Sequence, residues 1–464
     1  MQDRNSHSWL VPTTVSLALI PTVATAAGFA LLEQSASRLG TAFAGTAAAA
    51  DDATTVYFNP AGMTALRQPE GAVSASGIAI GSEFRNASST PAFLQPLGGN
   101  GGDAGDWNLV PAAYFVLPVG ESFAFGFGVN APFGLKLVYE DEWIGRFQAL
   151  HNEITTLNFN PSVAWRINER ISIGAGIDYQ RLDAELTNDI NYSAVIAQGV
   201  QQLVLAGQLP PATGNAVIAG NAAQSGHARV RGDDDAWGFN VGALFDLSDD
   251  TRLGLSYRSS IDYTVQGTID FTAPAGRDPV SSGIIAAASA PGAPLSSGPV
   301  NVDLELPDSA TLSLQHRFGE RFAVLADLAW TGWSSIQELR IVRDSGTTVS
   351  VTPEQWRDTW RYALGGTYAM NDSITLRAGV AFDETPVPDA TRTPRLPDSD
   401  RTWVAIGARW QPSPAMLLDF GYAHLFSDTV PLDQDAGNAT ASALLNGHQH
   451  SDIDIVSAQL VYRF

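Results

Sequence analysis

Catalysis needs a nucleophile, a base and a place for developing charge to converge, and this sequence holds such groups without gathering them. No serine sits in a Gly-x-Ser-x-Gly turn, cysteine is absent, and the seven histidines are scattered, mostly in loops or near strand ends. Thiolate metal sites are therefore excluded, and an imidazole site is not expected. Carboxylates adjoin at Asp383-Glu384 and Asp233-Asp234-Asp235, but they read as loop and rim charges and carry no glycosidase signature. The sequence thus argues against an enzyme and predicts no metal and no cofactor. Its net charge of -22 repels phosphates, which argues against nucleic acid as a partner. Arginine carries most of the positive charge, since Lys136 is the only lysine.

Periodicity shows which elements would carry any other function. Hydrophobic residues make up 45% of the 464, yet the mean hydropathy is -0.01, so the apolar content is spread through short runs. After the N-terminus no stretch approaches the roughly 20 apolar residues that a membrane helix needs. From about Gly71 onward the dominant period is two. In Ile171–Gln180 one face carries Ile, Ile, Ala, Ile and Tyr, and the other Ser, Gly, Gly, Asp and Gln. In Ile374–Asp383 the apolar face carries Ile, Leu, Ala, Val and Phe, with Arg377 and Asp383 opposite. A charge turned to lipid costs up to about 2–4 kcal/mol at the midplane, so these two are expected to face a lumen.

A soluble sandwich also alternates, and the connections separate the two architectures. Short turns such as Asn168-Glu169-Arg170, Gly319-Glu320 and Asn371-Asp372 alternate with long polar or Gly/Pro-rich stretches. The long ones fall near 84–106, 132–153, 189–228, 272–301, 340–358, 384–400 and 427–451. Short periplasmic turns and long external loops are the signature of an outer-membrane barrel, here an all-β, antiparallel, transmembrane β-barrel of about fourteen strands. Closure pairs every backbone group, as hydrocarbon demands. Trp330, Trp333, Trp356, Trp360, Trp403 and Trp410 lie near predicted strand ends, some expected in interfacial girdles and others in the lumen. The last strand ends on Tyr462-Arg463-Phe464 and resembles the C-terminal signal read by the outer-membrane assembly machinery.

Residues 1–26 read as a signal peptide, with Arg4 in a polar start, a broken apolar core from Leu10 to Ile20, and an Ala24-Thr25-Ala26 cleavage site. Residues 27–70 do not fit a strand. They are rich in Ala, Gly and Ser, pass through Asp51-Asp52, and contain Asn59-Pro60-Ala61, where Asn-Pro favours a turn. The expected organisation is an N-terminal plug in the lumen over 27–70 and a barrel over 71–464, because fourteen strands otherwise enclose an open pore. A flexible periplasmic tail is the alternative. Within 189–228, Ile196, Val200, Leu203 and Val204 follow one helix face, and 272–301 carries Ile284-Ile285-Ala286-Ala287-Ala288. These apolar loop residues either pack on each other or form an external hydrophobic landing surface.

With these residues in hand, the chain resembles the FadL family of outer-membrane transporters for long-chain fatty acids and related hydrophobic compounds. The resemblance runs from Ala27-Gly28-Phe29 through Asp51-Asp52 and Asn59-Pro60-Ala61 to Asn160-Pro161-Ser162 and Trp330-Thr331-Gly332-Trp333. Its most specific block is Arg361-Tyr362-Ala363-Leu364-Gly365, Asp383-Glu384-Thr385-Pro386-Val387-Pro388 and Pro397-Asp398-Ser399-Asp400-Arg401. It implies a fourteen-stranded barrel with an N-terminal hatch, and a monomer is expected. It also implies capture between two external loops, here 189–228 and 272–301, and an interior pocket that includes Phe29. A hatch shift then allows sideways exit into outer-membrane lipid through an opening made by a kink in the third strand. By count, that kink falls near Pro111, Ala112 and Ala113 or near Gly126 and Gly128, and Asp383 is the expected hatch contact.

One departure bears on the cargo. The positions where fatty-acid transporters of the family carry basic pocket residues align with Asn188 and Thr352, neither of them basic. Arg181, Arg357 and Arg361 are the substitutes within the chain. Without one, the cargo is a neutral alkane or aromatic hydrocarbon rather than a fatty acid. A general porin for polar solutes is the alternative of another class, and it requires an open lumen with a charged constriction.

Overall fold

The computed structural model describes residues 28–435 and 443–464, so the expected signal peptide, residues 1–26, lies outside the described residues. Twenty strand segments form one continuous antiparallel sheet, which closes as a barrel of fourteen strands. In chain order these are β1 (Glu70–Asn86), β2 (Trp107–Val119), β3 (Phe123–Asn130 and Gly134–Val138), β4 (His151–Asn168) and β5 (Ile171–Asn191). Then come β6 (Ser225–Asp246), β7 (Thr251–Arg258 and Ile261–Thr272), β8 (Gly298–Leu306 and Ser309–Phe318) and β9 (Phe322–Thr331 and Glu338–Arg343). The last are β10 (Thr348–Pro353 and Thr359–Asn371), β11 (Ile374–Asp383), β12 (Arg401–Ser413), β13 (Met416–Ser427 and Val430–Asp435) and β14 (Leu444–Arg463). β14 pairs with β1 from Glu70↔Arg463 to Asn86↔Gly447 and closes the ring.

The faces follow the alternation. Ile173 and Ile177 are exposed while Asp178 and Gln180 are buried, and Arg377 and Asp383 are buried on the inside. Parity also sorts the strand tryptophans, with Trp403 buried and Trp360 and Trp410 exposed, while Trp333 and Trp356 are buried in strand interruptions. Phe123, Trp165, Phe318, Phe322, Tyr368, Trp410 and Phe464 are all exposed beside the short turns, where amphipathic rings suit a membrane interface.

The external connections differ from expectation in two ways. The 340–358 stretch is mostly strand, since β9 runs to Arg343 and β10 starts at Thr348. The 384–400 stretch folds inward, burying Val387, Arg392, Leu396 and Asp398; Arg392 Nε donates to the Asp398 carbonyl at 2.9 Å and pins the fold. The 189–228 and 272–301 loops carry helices α1 (Tyr192–Leu205), α2 (Pro211–Gly220) and α3 (Pro279–Ala288). α1 packs on α3 through Ile196, Val200 and Ile285, so closely that a Cβ on Gly199 would lie 2.6 Å from Ile284 Cγ2. Most of the apolar loop residues therefore cover one another, and Leu205 is left exposed.

Residues 28–66 fill the barrel with short helical turns. Small residues are needed because backbone meets wall: a Cβ on Gly379 would lie 2.1 Å from Thr41 O, and one on Gly254 would lie 2.1 Å from Ala47 O. Polar latches fix this hatch. Asp52 pairs with Arg409 at 2.8 Å, Arg38 with Asp51 at 3.0 Å, and Arg409 and Arg377 both reach Asp419. Burial alone would raise the Asp52 carboxyl, but Arg409 and Arg38 outweigh it and hold the group well below its usual range. Asp327 of β9 accepts from Gly45 N at 2.6 Å and Thr46 N at 3.1 Å.

Candidate functional site

Inward positions of β3 to β10, together with the infolded 384–400 loop, enclose an upper cavity of about 920 Å³ of empty space including its mouth. Its walls are apolar, with Leu135, Ile154, Leu182, Val265, Leu304 and Ile336 among them. Two charged side chains stand out in it. Arg395, from the infolded loop, donates to Asn152 Oδ1 at 2.6 Å and Asn188 Oδ1 at 3.3 Å. Burial pushes its guanidinium down to about 10, with Glu354 opposing, so it stays cationic near neutral pH. Glu354 is buried against Trp356, whose Nε1 donates to it at 3.0 Å. Burial pushes this carboxyl up to about 7, against the Trp356 bond and Arg395. Arg231 also borders the cavity but is ion-paired with Glu185 at 2.8 Å.

Phe29 forms the floor of this cavity, with ring centroids 5.3 Å from Trp333, 5.8 Å from Phe133 and 5.9 Å from Trp356. Gly28 precedes it at φ +61, and a Cβ there would lie 2.6 Å from Trp333, so both conformation and space call for glycine. Gly28 N donates to Asp398 Oδ2 at 2.9 Å, tying the floor to the loop that carries Arg395.

The same N-terminal residues prop a break in the wall. β3 pairs with β2 only from Val119↔Phe123 to Ala113↔Val129. Beyond Asn130 the chain turns in through Ala131-Pro132-Phe133, and the second segment of β3 pairs with β4. Trp107–Ala112 of β2 consequently have ladder partners on the β1 side and none on β3. The inturned residues pair with the hatch instead: Leu31 N donates to Pro132 O at 2.7 Å, Gly134 N to Phe29 O at 2.8 Å, and Gln34 Nε2 to Ala131 O at 2.7 Å.

The candidate residues are distributed as follows. The kink lies beyond both expected positions, which is a correction: Pro111, Ala112 and Ala113 belong to β2 and pair with β1, and Gly126 and Gly128 pair regularly on both sides. Pro111 and Ala112 do border the break, because a proline is tolerated on an edge that lacks one ladder. Asn59 caps the turn at Pro60 and Ala61, accepting from Ala61 N at 3.0 Å and donating to Ala243 O at 3.1 Å. Asn188 supports Arg395 from behind, and Thr352 pairs with Leu339 while Glu354, two residues on, reaches the cavity. Arg181 is half-exposed and paired with Asp183 and Asp233, and Arg357 contacts the Thr385 carbonyl. Arg361 and Asp383 are cross-strand neighbours below the floor, and Arg361 reaches the hatch at Ala42 O, 2.8 Å. Arg395 is the residue that alignment misses. Its loop reads as external, and no local signal announces that it folds inward.

Residues 17–464 match the model of the family described as outer membrane protein transport protein (OMPP1/FadL/TodX). The long-chain fatty acid transport protein of Escherichia coli O6:H1 is 30% identical over 92% of this chain and 93% of its own. The 47 kDa outer membrane protein of Pasteurella multocida is 33% identical over 93% and 94%. A solved Pseudomonas aeruginosa FadL homologue has a TM-score of 0.83 at 28% identity, covering 94% of this chain and 100% of that one. The P. putida toluene transporter TodX shares the fold at 17% identity and a TM-score of 0.61, over 89% of this chain and 94% of that one.

Proposed function

The chain belongs to the OMPP1/FadL/TodX family of outer-membrane transport proteins, and from that premise we propose that its cargo is a carboxyl-headed long-chain amphiphile, a long-chain fatty acid above all. The protein takes up hydrophobic molecules across the bacterial outer membrane and is not an enzyme. The observation that carries the choice of cargo is Arg395, a cation bonded to no carboxylate among the described residues, in a cavity of mainly apolar walls. A buried chain gains about 0.8 kcal/mol per CH₂, and a guanidinium matches a carboxylate in charge and geometry.

In this reading residues 1–26 are removed on export, residues 27–70 form the hatch, and residues 71–464 form the barrel. Ligand arrives past the 189–228 and 272–301 loops and settles above Phe29 with its head toward Arg395. Movement of Phe29 to Gln34 then frees the inturned Ala131–Phe133. The cargo leaves between β2 and β3 into membrane lipid, which spares it a passage through periplasmic water. The barrel acts as a monomer and is inserted by the assembly machinery through Phe464.

Glu354 supports a second reading, a neutral hydrocarbon cargo, because an ionised carboxylate there offsets Arg395. Comparing binding of a long-chain acid with that of its methyl ester decides between them. Preference for the acid is expected, and equal affinity overturns the acid reading in favour of the neutral one. Large, stable ion currents through the full-length protein in planar bilayers would instead mark a polar porin.

A further inference from the structure

Beneath the aromatic floor lies a second cavity, of about 750 Å³ of empty space including its openings, between the hatch and the inner face of β7 to β11. Phe133 and Trp333 belong to its lining and Phe29 and Trp356 to that of the cavity above, so a single layer of rings divides the two. The lower cavity has a different chemistry. Leu31, Leu32 and Trp333 give it an apolar side, and the hydroxyls of Ser309 and Thr359 with Arg258 and Arg361 give it a polar one.

Arg258 is engaged, ion-paired with Asp178 at 2.6 Å and donating to Tyr57 O at 3.0 Å. Arg361 is engaged only in part. Its Nη2 serves Ala42 O, while its buried Nε donates no hydrogen bond and stands 4.0 Å from Asp383 Oδ2. A buried donor without an acceptor is costly, and an oxygen placed in the cavity beside it relieves that cost. The surrounding charge limits what the oxygen belongs to. Arg258, Arg361 and Arg401 are set against Asp178, Asp383, Asp398 and Glu33, so no surplus positive charge awaits an anion.

We propose that this lower cavity is a second binding station for the cargo, one that takes the head in uncharged form, as a carboxylic acid or an alcohol. The head oxygen accepts from Arg361 Nε, the head's own O–H faces Asp383, and the chain lies along Leu31, Leu32 and Trp333. This rests on the reading of the upper cavity as the first station. A carboxylate leaving Arg395 takes up one proton from water and becomes the neutral acid. That order suits sideways release, since hydrocarbon accepts a neutral acid far more readily than a carboxylate.

The test is photo-crosslinking of the full-length protein in lipid nanodiscs with a diazirine-bearing long-chain fatty acid and the matching alcohol, mapped by peptide mass spectrometry. The acid is expected to label both stations, near Ile336 and Leu396 above and near Ser309 and Thr331 below. The alcohol is expected to favour the lower one. Arg361→Gln is expected to reduce lower labelling about tenfold, with upper labelling unchanged within about twofold. Should that variant fail to fold, as judged by heat-modifiable gel migration, Ser309→Phe narrows the same cavity from β8 and is expected to act alike. Upper labelling without lower labelling overturns the second station alone, as does lower labelling that survives both substitutions. Absence of labelling at both overturns the upper-cavity reading and this proposal with it.

Discussion

Replacing Arg395 by glutamine removes the cation from the upper cavity while leaving an amide to meet Asn152 or Asn188, the present partners at 2.6 and 3.3 Å. The apolar walls are untouched, so the free energy of burying the chain is unchanged. What is lost is a hydrogen bond to a charged group, which contributes about 1.5–3 kcal/mol net, or roughly tenfold to a hundredfold in Kd. The smaller value applies if a ligand carboxylate must displace the asparagines. A methyl ester keeps the chain and lacks the charge, so its affinity is expected to stay within about threefold. Isothermal titration of acid and ester against the parent and Arg395→Gln closes a cycle whose coupling term isolates the head contact. A coupling near zero, with acid and ester weakened equally or not at all, refutes the role given to Arg395.

Three further outcomes follow from the same geometry. Because burial holds Glu354 near pH 7, acid binding is expected to tighten by up to about tenfold between pH 8 and 6 as that carboxyl takes up a proton; Glu354→Gln should flatten the profile in titrations across that range. Ala30 and Phe133 form an isolated antiparallel bridge flanked by the two hatch–strand hydrogen bonds, a geometry with Cα atoms about 4.5 Å apart. Since the chain has no cysteine of its own, an Ala30→Cys/Phe133→Cys pair should stop uptake when oxidised and regain it on reduction, and uptake by the oxidised form would contradict release through this break. Glu33 is fully buried, receives no hydrogen bond from another side chain, and has its carboxyl pushed up to about 7 by burial, with Arg401 and Arg361 opposing. The folded state therefore holds that proton more tightly than the unfolded one, and stability falls as pH rises from 4.5 toward 7, by an amount of order 3 kcal/mol. Glu33→Gln should accordingly raise the gel-mobility transition temperature at pH 8 and leave it unchanged near pH 4.

Much of the architecture is legible in the residues because the physics behind it is local. Ile171–Gln180 and Ile374–Asp383 each declare two faces, and a charge such as Arg377 can go only inward. The tryptophans are legible to the extent that parity is known, so Trp360 and Trp403 separate once the register does. The kink escapes because Ala131-Pro132-Phe133 falls inside a stretch whose composition reads as loop; the proline is a signal, but Pro161 carries the same one within an unbroken strand. Arg395 escapes for a different reason. Leu396 beside it is a single aliphatic residue in 391–400, too little to mark burial, and the inward fold of its loop depends on distant partners, among them Gly28 at Asp398 and Pro431 O at Arg392.

The latch that fastens the hatch has an electrical consequence. Arg38, Arg377 and Arg409 are matched by Asp51, Asp52 and Asp419, so the cluster carries no net charge. A potential across a membrane does work of about 2.3 kcal/mol per elementary charge per 100 mV, but only Arg38, Asp51 and Asp52 belong to the hatch, so the hatch side of the latch carries one net negative charge and the wall side, Arg377, Arg409 and Asp419, one net positive charge. A potential therefore has no purchase while the latch is closed, and it acts on a unit charge once hatch and wall part.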